Sequence, residues 1–266
     1  METSNIENSL NNGEEIKKIS DYESFREYAR DKTETFGESY LYEAAAAALE
    51  IGTIDYADIA SFVEKGIDDE DALVRLFAVT LAGYGQEDID YVNMVQKATS
   101  DTDDYVRAAG TTLIGRLPES ERSASIIKGL DDENDRVRLY ASLEISEVPK
   151  NEQGALLRKM LADSDGYIRE EAAGAIYRVP EEERTELVKI GLQDEDHHVR
   201  WRTAMRLGDV PEGERATVIE IALQDVDEYV VKDAIKAIRF VPSRNERIRL
   251  RTINPHKSLI HKLWYN

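Results

Sequence analysis

The chain has 266 residues, no cysteine, and 54 acidic against 34 basic side chains, a net charge of −20. Without cysteine there is no disulfide framework, thiolate metal site or sulfur nucleophile. Apolar residues make up 41%, enough for a core, which excludes a disordered acidic chain; the acid excess repels a phosphate backbone, so nucleic acid is not an expected partner.

In chain order, the opening "METSNIENSLNNGEEIKK" carries neither a basic nor an apolar leader, which points to a cytoplasmic protein. No run of about 18 apolar residues occurs, so no membrane span is expected. Residues 1–38 read as a polar N-terminal segment, partly disordered or forming one helix. Ser39 to Gly66 reads as a helix–turn–helix.

From there the text repeats. Pro118, Pro149, Pro180, Pro211 and Pro242 stand 31 residues apart. The same step carries Val106-Arg107, Val137-Arg138, Ile168-Arg169, Val199-Arg200 and Val230-Val231, with Val74-Arg75 upstream after one extra residue. An aspartate lies five residues before each of these (Asp69, Asp101, Asp132, Asp163, Asp194, Asp225), and an acid or amide three before (Asp71, Asp103, Asn134, Asp165, Asp196, Asp227).

Each unit reads as two helices. In the unit from Asp194, Asp196 is a candidate N-cap for a first helix from about His197 to Gly208. Its buried stripe is Val199, Thr203 and Leu207. Pro211 stops that helix and opens the next, from about Glu214 to Leu223. The fourth residue after the Val position is small throughout (Ala78, Gly110, Ala141, Ala172, Thr203, Ala234), which lets helices approach closely. One pair cannot bury its own apolar face, whereas stacked pairs can. The expected fold is all-α, a superhelical α-solenoid of stacked antiparallel helix pairs, about seven units over residues 39–254. Residues 255–266, with Leu259, Ile260, Leu263 and Trp264 at helical spacing, read as a capping segment.

An aspartate, a valine five residues on, an arginine after it and a Pro-marked turn together resemble the HEAT repeat family, most closely its short bacterial two-helix units. The resemblance covers about residues 39–254, with a period shorter than the roughly 40–47 residues usual for longer HEAT units. It implies a ladder in which Asp101, Asp132, Asp163 and Asp194 pair with Arg107, Arg138, Arg169 and Arg200, within or between units. Val231 departs from the pattern where an arginine would stand.

His197 and His198 occupy variable positions in a first helical turn. Neighbours on a helix point about 100° apart, so the two read as solvent or partner contacts, and no metal is expected. The His-Glu dipeptides of HEAT-repeat deoxyhypusine hydroxylases are absent, and the acidic turns do not match a calcium-loop pattern. No catalytic triad or Gly-rich phosphate loop occurs, so neither an enzyme nor a cofactor is expected.

The position before each Val is more informative. Tyr105, Arg136, Tyr167, His198 and Tyr229 recur there and would form a stripe along one edge, with Trp201 nearby. These six are the candidate partner-binding residues, because Tyr, Trp and Arg are favoured at binding hot spots; the alternative is that the tyrosines pack on the preceding turn. Seven Lys/Arg against one acid from Arg239 to Asn266 leave residues 1–238 at −26, a field suited to a basic protein partner. The expectation is a non-enzymatic, monomeric protein binder, for example an immunity or antitoxin protein occluding a basic nuclease toxin. The rivals are a general scaffold or a HEAT-fold enzyme resembling DNA glycosylases or phycobilin lyases.

Overall fold

The structure is a computed structural model that describes residues 18–36, 45, 49, 52–85 and 88–253. The chain divides into two compact units, Met1–Ala141 and Ser142–Asn266. The regular elements among the described residues are helices and short 3₁₀ turns, an all-α solenoid of helix pairs.

The first unit holds α1 (Tyr22–Phe36), α2 (Ile59–Gly66), α3 (Ala72–Ala82), α4 (Tyr91–Ala98), α5 (Asp104–Thr111), α6 (Glu119–Leu130) and most of α7 (Asp135–Leu143). Helix α1 buries Phe25 and Ala29 completely. Phe25 stacks on Phe62 of α2 with ring centroids 4.7 Å apart and leans on Phe77 of α3 at 5.9 Å. The second unit holds α8 (Lys150–Met160), α9 (Gly166–Ala175), α10 (Glu181–Gly191), α11 (His197–Ala204), α12 (Arg215–Ala222), α13 (Glu228–Ala237) and α14 (Arg244–Ile253). The capping segment anticipated over 255–266 lies outside the described residues.

The aspartate pairs build the turns that start the first helices. Asp103, Asp165, Asp196 and Asp227 sit in extended backbone and accept amide protons from Tyr105, Tyr167, His198 and Tyr229. Such a cap contributes about 1 kcal/mol. The earlier aspartate accepts the amide of the later one, as Asp194 does from Asp196 at 2.8 Å.

The first helices are shorter than the apolar spacing predicts. The stretch His197–Gly208 divides into α11, ending at Ala204, and a 3₁₀ turn at Leu207–Asp209. The stripe survives the break, since Val199, Thr203 and Leu207 are all fully buried. Proline supplies the cause: the residue before it is barred from helical backbone, so Val210 turns extended and the last turn tightens. Pro118, Pro149 and Pro180 stand at the N-caps of α6, α8 and α10. After Pro211 the helix waits until Arg215.

The small positions face small partners. A Cβ on Gly129 of α6 would lie 2.6 Å from Cβ of Ala141, and one on Gly66 the same distance from Cβ of Ala78. Gly110 stands equally close to Ala98, and Gly191 meets Thr203. Backbones approach here as they could with no larger side chain.

The arginine ladder runs between repeats. Arg107 donates through Nε and Nη2 to both carboxylate oxygens of Asp132, at 2.8 and 3.0 Å. Arg75 does so to Asp101, Arg169 to Asp194 and Arg200 to Asp225. The remaining Nη1 donates back to the carbonyl of the repeat's own aspartate, in Arg138 to Asp132 and in Arg169 to Asp163. Arg75, Arg107, Arg169 and Arg200 thus each tie one turn to the next. Burial alone would raise the carboxyl groups of Asp101 and Asp132. The hydrogen bonds from Arg75 and Arg107, with the amides of Asp103 and Asn134, outweigh it and hold both below the ordinary range. Val231, in the arginine's place, is fully buried.

A second ladder starts from the second helices. Arg122, Gln153, Arg184 and Arg215, again 31 residues apart, donate to the carbonyls of Leu117, Val148, Val179 and Val210 at 2.7–2.9 Å. Arg184 and Arg215 reach onward to the carbonyls of Asp209 and Phe240 in the following repeats. These carbonyls end the extended residues before each proline, where no helix serves them.

Candidate partner-binding groove

The first turns of α11 and α13 form a groove of about 160 Å³ in the second unit, lined by His197, His198, Trp201, Asp227 and Tyr229. Three of the sequence candidates, His198, Trp201 and Tyr229, are therefore brought together. Trp201 is half-buried, and its indole N–H donates to Asp233 at 2.9 Å. That bond fixes the ring, whose edge meets Tyr229 with centroids 6.3 Å apart. Tyr229 remains 56% exposed, with Lys232 over its ring at 4.8 Å. Lys232 also pairs with Glu228 at 3.4 Å, so cation, ring and carboxylate form one patch.

Tyr167 stands at the equivalent position on α9, 73% exposed and outside the groove. Its exposure, with that of Tyr229, goes against packing on the preceding turn. Tyr105 and Arg136 lie in the first unit and serve each other, with the guanidinium 4.5 Å above the ring. Nearby, Thr102, Asp103, Asp104, Arg107, Glu133 and Asn134 line a polar hollow that is part of the ladder.

The two histidines do not diverge as neighbouring helical residues were expected to. Their ring centroids are 3.9 Å apart, and both Nδ1 atoms turn toward Oδ1 of Asp196, at 3.7 Å from His197 and 3.3 Å from His198. The carboxylate that caps the helix also gathers the rings. The amide of His198, with the imidazoles adding to it, keeps the Asp196 carboxyl below its usual range.

Sequence reasoning missed Asp227 as a wall of the groove and Asp233 as the anchor of Trp201. Asp227 was legible only as a cap. Asp233 follows Trp201 by 32 residues, one period and one position, so the repeat could have paired them.

A model of HEAT repeats matches residues 92–177 and 154–239, together more than half of the sequence. The chain belongs to the HEAT repeat family. Among solved structures, an engineered protein aligns over 99% of this HEAT-repeat chain and 74% of its own, with 19% identity and a TM-score of 0.58. The Escherichia coli protein YibA aligns over 79% and 89%, with 18% identity and a TM-score of 0.49. The CpcE–CpcF phycocyanin lyase complex of Nostoc sp. PCC7120 aligns over 88% and 94%, with 18% identity and a TM-score of 0.41. No curated protein matches the chain. The first similarity shows the fold; the other two are too distant to bear on function. Among the described residues no helix is long and apolar enough to cross a membrane.

Proposed function

We propose that this HEAT-repeat protein is a non-enzymatic, monomeric binder of a basic protein partner, acting in the cytoplasm. The observation that carries the reading is the exposed Tyr229 in a groove with an indole wall and a carboxylate edge, with Tyr167 exposed at the equivalent position on α9. Aromatic side chains of this kind supply binding energy when a partner covers them. The net charge of −20 supplies long-range attraction for a cationic surface, which raises the association rate and makes it salt-sensitive.

The narrower reading is an immunity or antitoxin protein. A nuclease carries a basic, phosphate-binding face, and a carboxylate-rich surface can occupy it in place of nucleic acid. The acid excess and the repeat-built surface motivate this choice of partner.

The test immobilises the untagged chain and passes lysate over it at about 50 mM and about 500 mM salt. A Tyr167→Ala/Tyr229→Ala chain runs in parallel. The proposal expects a basic protein held by the parent, released by salt and lost on the double variant. Retention indifferent to both salt and the substitutions, or no retention at all, goes against it. Nuclease activity in the released fraction, inhibited when the parent chain is added back, identifies the immunity role.

A further inference from the structure

The cap of α11 carries more than a cap needs. One carboxylate satisfies the first-turn amides, and Asp103, Asp165 and Asp227 do so beside Asp104-Tyr105, Gly166-Tyr167 and Glu228-Tyr229. Only the repeat at Asp196 places two imidazoles after its cap, and they are two of the four histidines in the whole chain. Helix formation does not account for them.

Their arrangement is that of a ligand set. Asp196, His197 and His198 each offer one donor atom, all within 4.8 Å of one another. Two of the separations are Asp196 Oδ1 to His198 Nδ1 at 3.3 Å and to His197 Nδ1 at 3.7 Å. Donors around a tetrahedral zinc ion, with bonds of about 2.0–2.1 Å, stand roughly 3.4 Å apart. Closing the remaining gap needs only small side-chain rotations, and both imidazoles are more than half exposed and free to make them.

We propose that Asp196, His197 and His198 bind a single borderline transition-metal ion of the zinc or nickel type. Two nitrogens and one carboxylate oxygen match the preference of these ions, whereas magnesium and calcium favour all-oxygen sites. The helix N-terminus by itself disfavours a cation. The Asp196 carboxylate, and that of Asp227 lining the groove with both histidines, oppose that effect. Three protein donors leave a fourth position for water. The same Asp196 oxygen caps α11, so the ion would tie its first turn together. This inference is independent of the proposed protein partner.

The test uses the full chain without a polyhistidine tag. Zinc binding is followed by calorimetry. Nickel or copper is followed by quenching of Trp201, with Trp264→Phe removing the other indole. The expected result is one ion per chain at micromolar affinity, at least tenfold weaker in His197→Ala and in His198→Ala. Because both side chains are exposed, the variants should melt like the parent in the absence of metal. Asp196→Asn keeps the cap and should also weaken binding. Absence of binding up to millimolar zinc overturns the proposal, as does binding unchanged in the double histidine variant or displaced equally well by calcium.

Discussion

Replacing Arg169 by alanine tests the ladder where it is most enclosed. Only 9% of the Arg169 side chain and 7% of that of Asp194 are exposed. The change removes two hydrogen bonds to the Asp194 carboxylate and two more to the carbonyls of Asp163 and Ser164. Asp194 keeps the amide of Asp196, so it is not stripped bare. Breaking a buried ion pair from one side costs about 3–5 kcal/mol, and the retained amide places this case near 3. In thermal melts that is a drop of roughly 10 °C. Adding Asp194→Asn removes the orphaned charge and keeps the acceptor for Asp196. The double variant should therefore recover about half of the loss, a coupling that additive sites do not show. Urea unfolding followed by circular dichroism measures all three chains. The single variant should also unfold less cooperatively, because repeat arrays gain stability from nearest-neighbour contacts. A loss below about 0.5 kcal/mol for Arg169→Ala would place the pair among ordinary surface salt bridges and refute the reasoning.

The phenol oxygen of Tyr28 is buried without a partner among the described residues, and burial pushes its ionisation up to about 12; Tyr28→Phe should raise the urea midpoint by an amount equivalent to about 1 kcal/mol. Gly129→Ala gains up to about 1 kcal/mol in helix propensity but puts a methyl 2.6 Å from Ala141 Cβ. Overpacking costs about 1–3 kcal/mol, so melting should show a net loss, while Gly213→Ala, with open space around it, should not. Burial, with repulsion from Glu147, pushes the Glu144 carboxyl up to about 7, so the folded chain holds a proton that the unfolded chain releases near its ordinary 4.5. Stability from this group is present below about pH 4.5 and lost as pH rises toward 7. Allowing for solvent screening, Glu144→Gln should be more stable than the parent by about 1 kcal/mol at pH 8 and indistinguishable from it at pH 4, as parallel urea titrations would show. Tyr167→Ala should melt like the parent, since that ring is 73% exposed; a fall of several degrees would make Tyr167 part of the core.

Much of the candidate site was legible because a repeat allows each unit to be compared with its sisters. Tyr167, His198, Tyr229 and Trp201 stood out as variable or aromatic positions beside invariant ones, and three of them share the groove. Tyr105 and Arg136 stood out equally, and they are engaged with each other. Alignment down the repeats finds equivalent positions; it does not say whether the occupants of two such positions touch. The second ladder was in the text too, at Arg122, Gln153, Arg184 and Arg215, but its acceptors are backbone carbonyls, which leave no mark in a sequence.

The chain by itself determined its architecture, through the 31-residue step, the Asp caps, the valine spine and the small residues where helices meet. Those features are local or periodic, and each acts over a turn or between adjacent repeats, so their spacing alone conveys their role. The tertiary structure decided that Arg75, Arg107, Arg169 and Arg200 reach the following repeat, that the first helices end in 3₁₀ turns, and that His197 and His198 face one carboxylate. These depend on side-chain torsions and on distances of 3–4 Å across neighbouring turns, which a one-dimensional spacing leaves open.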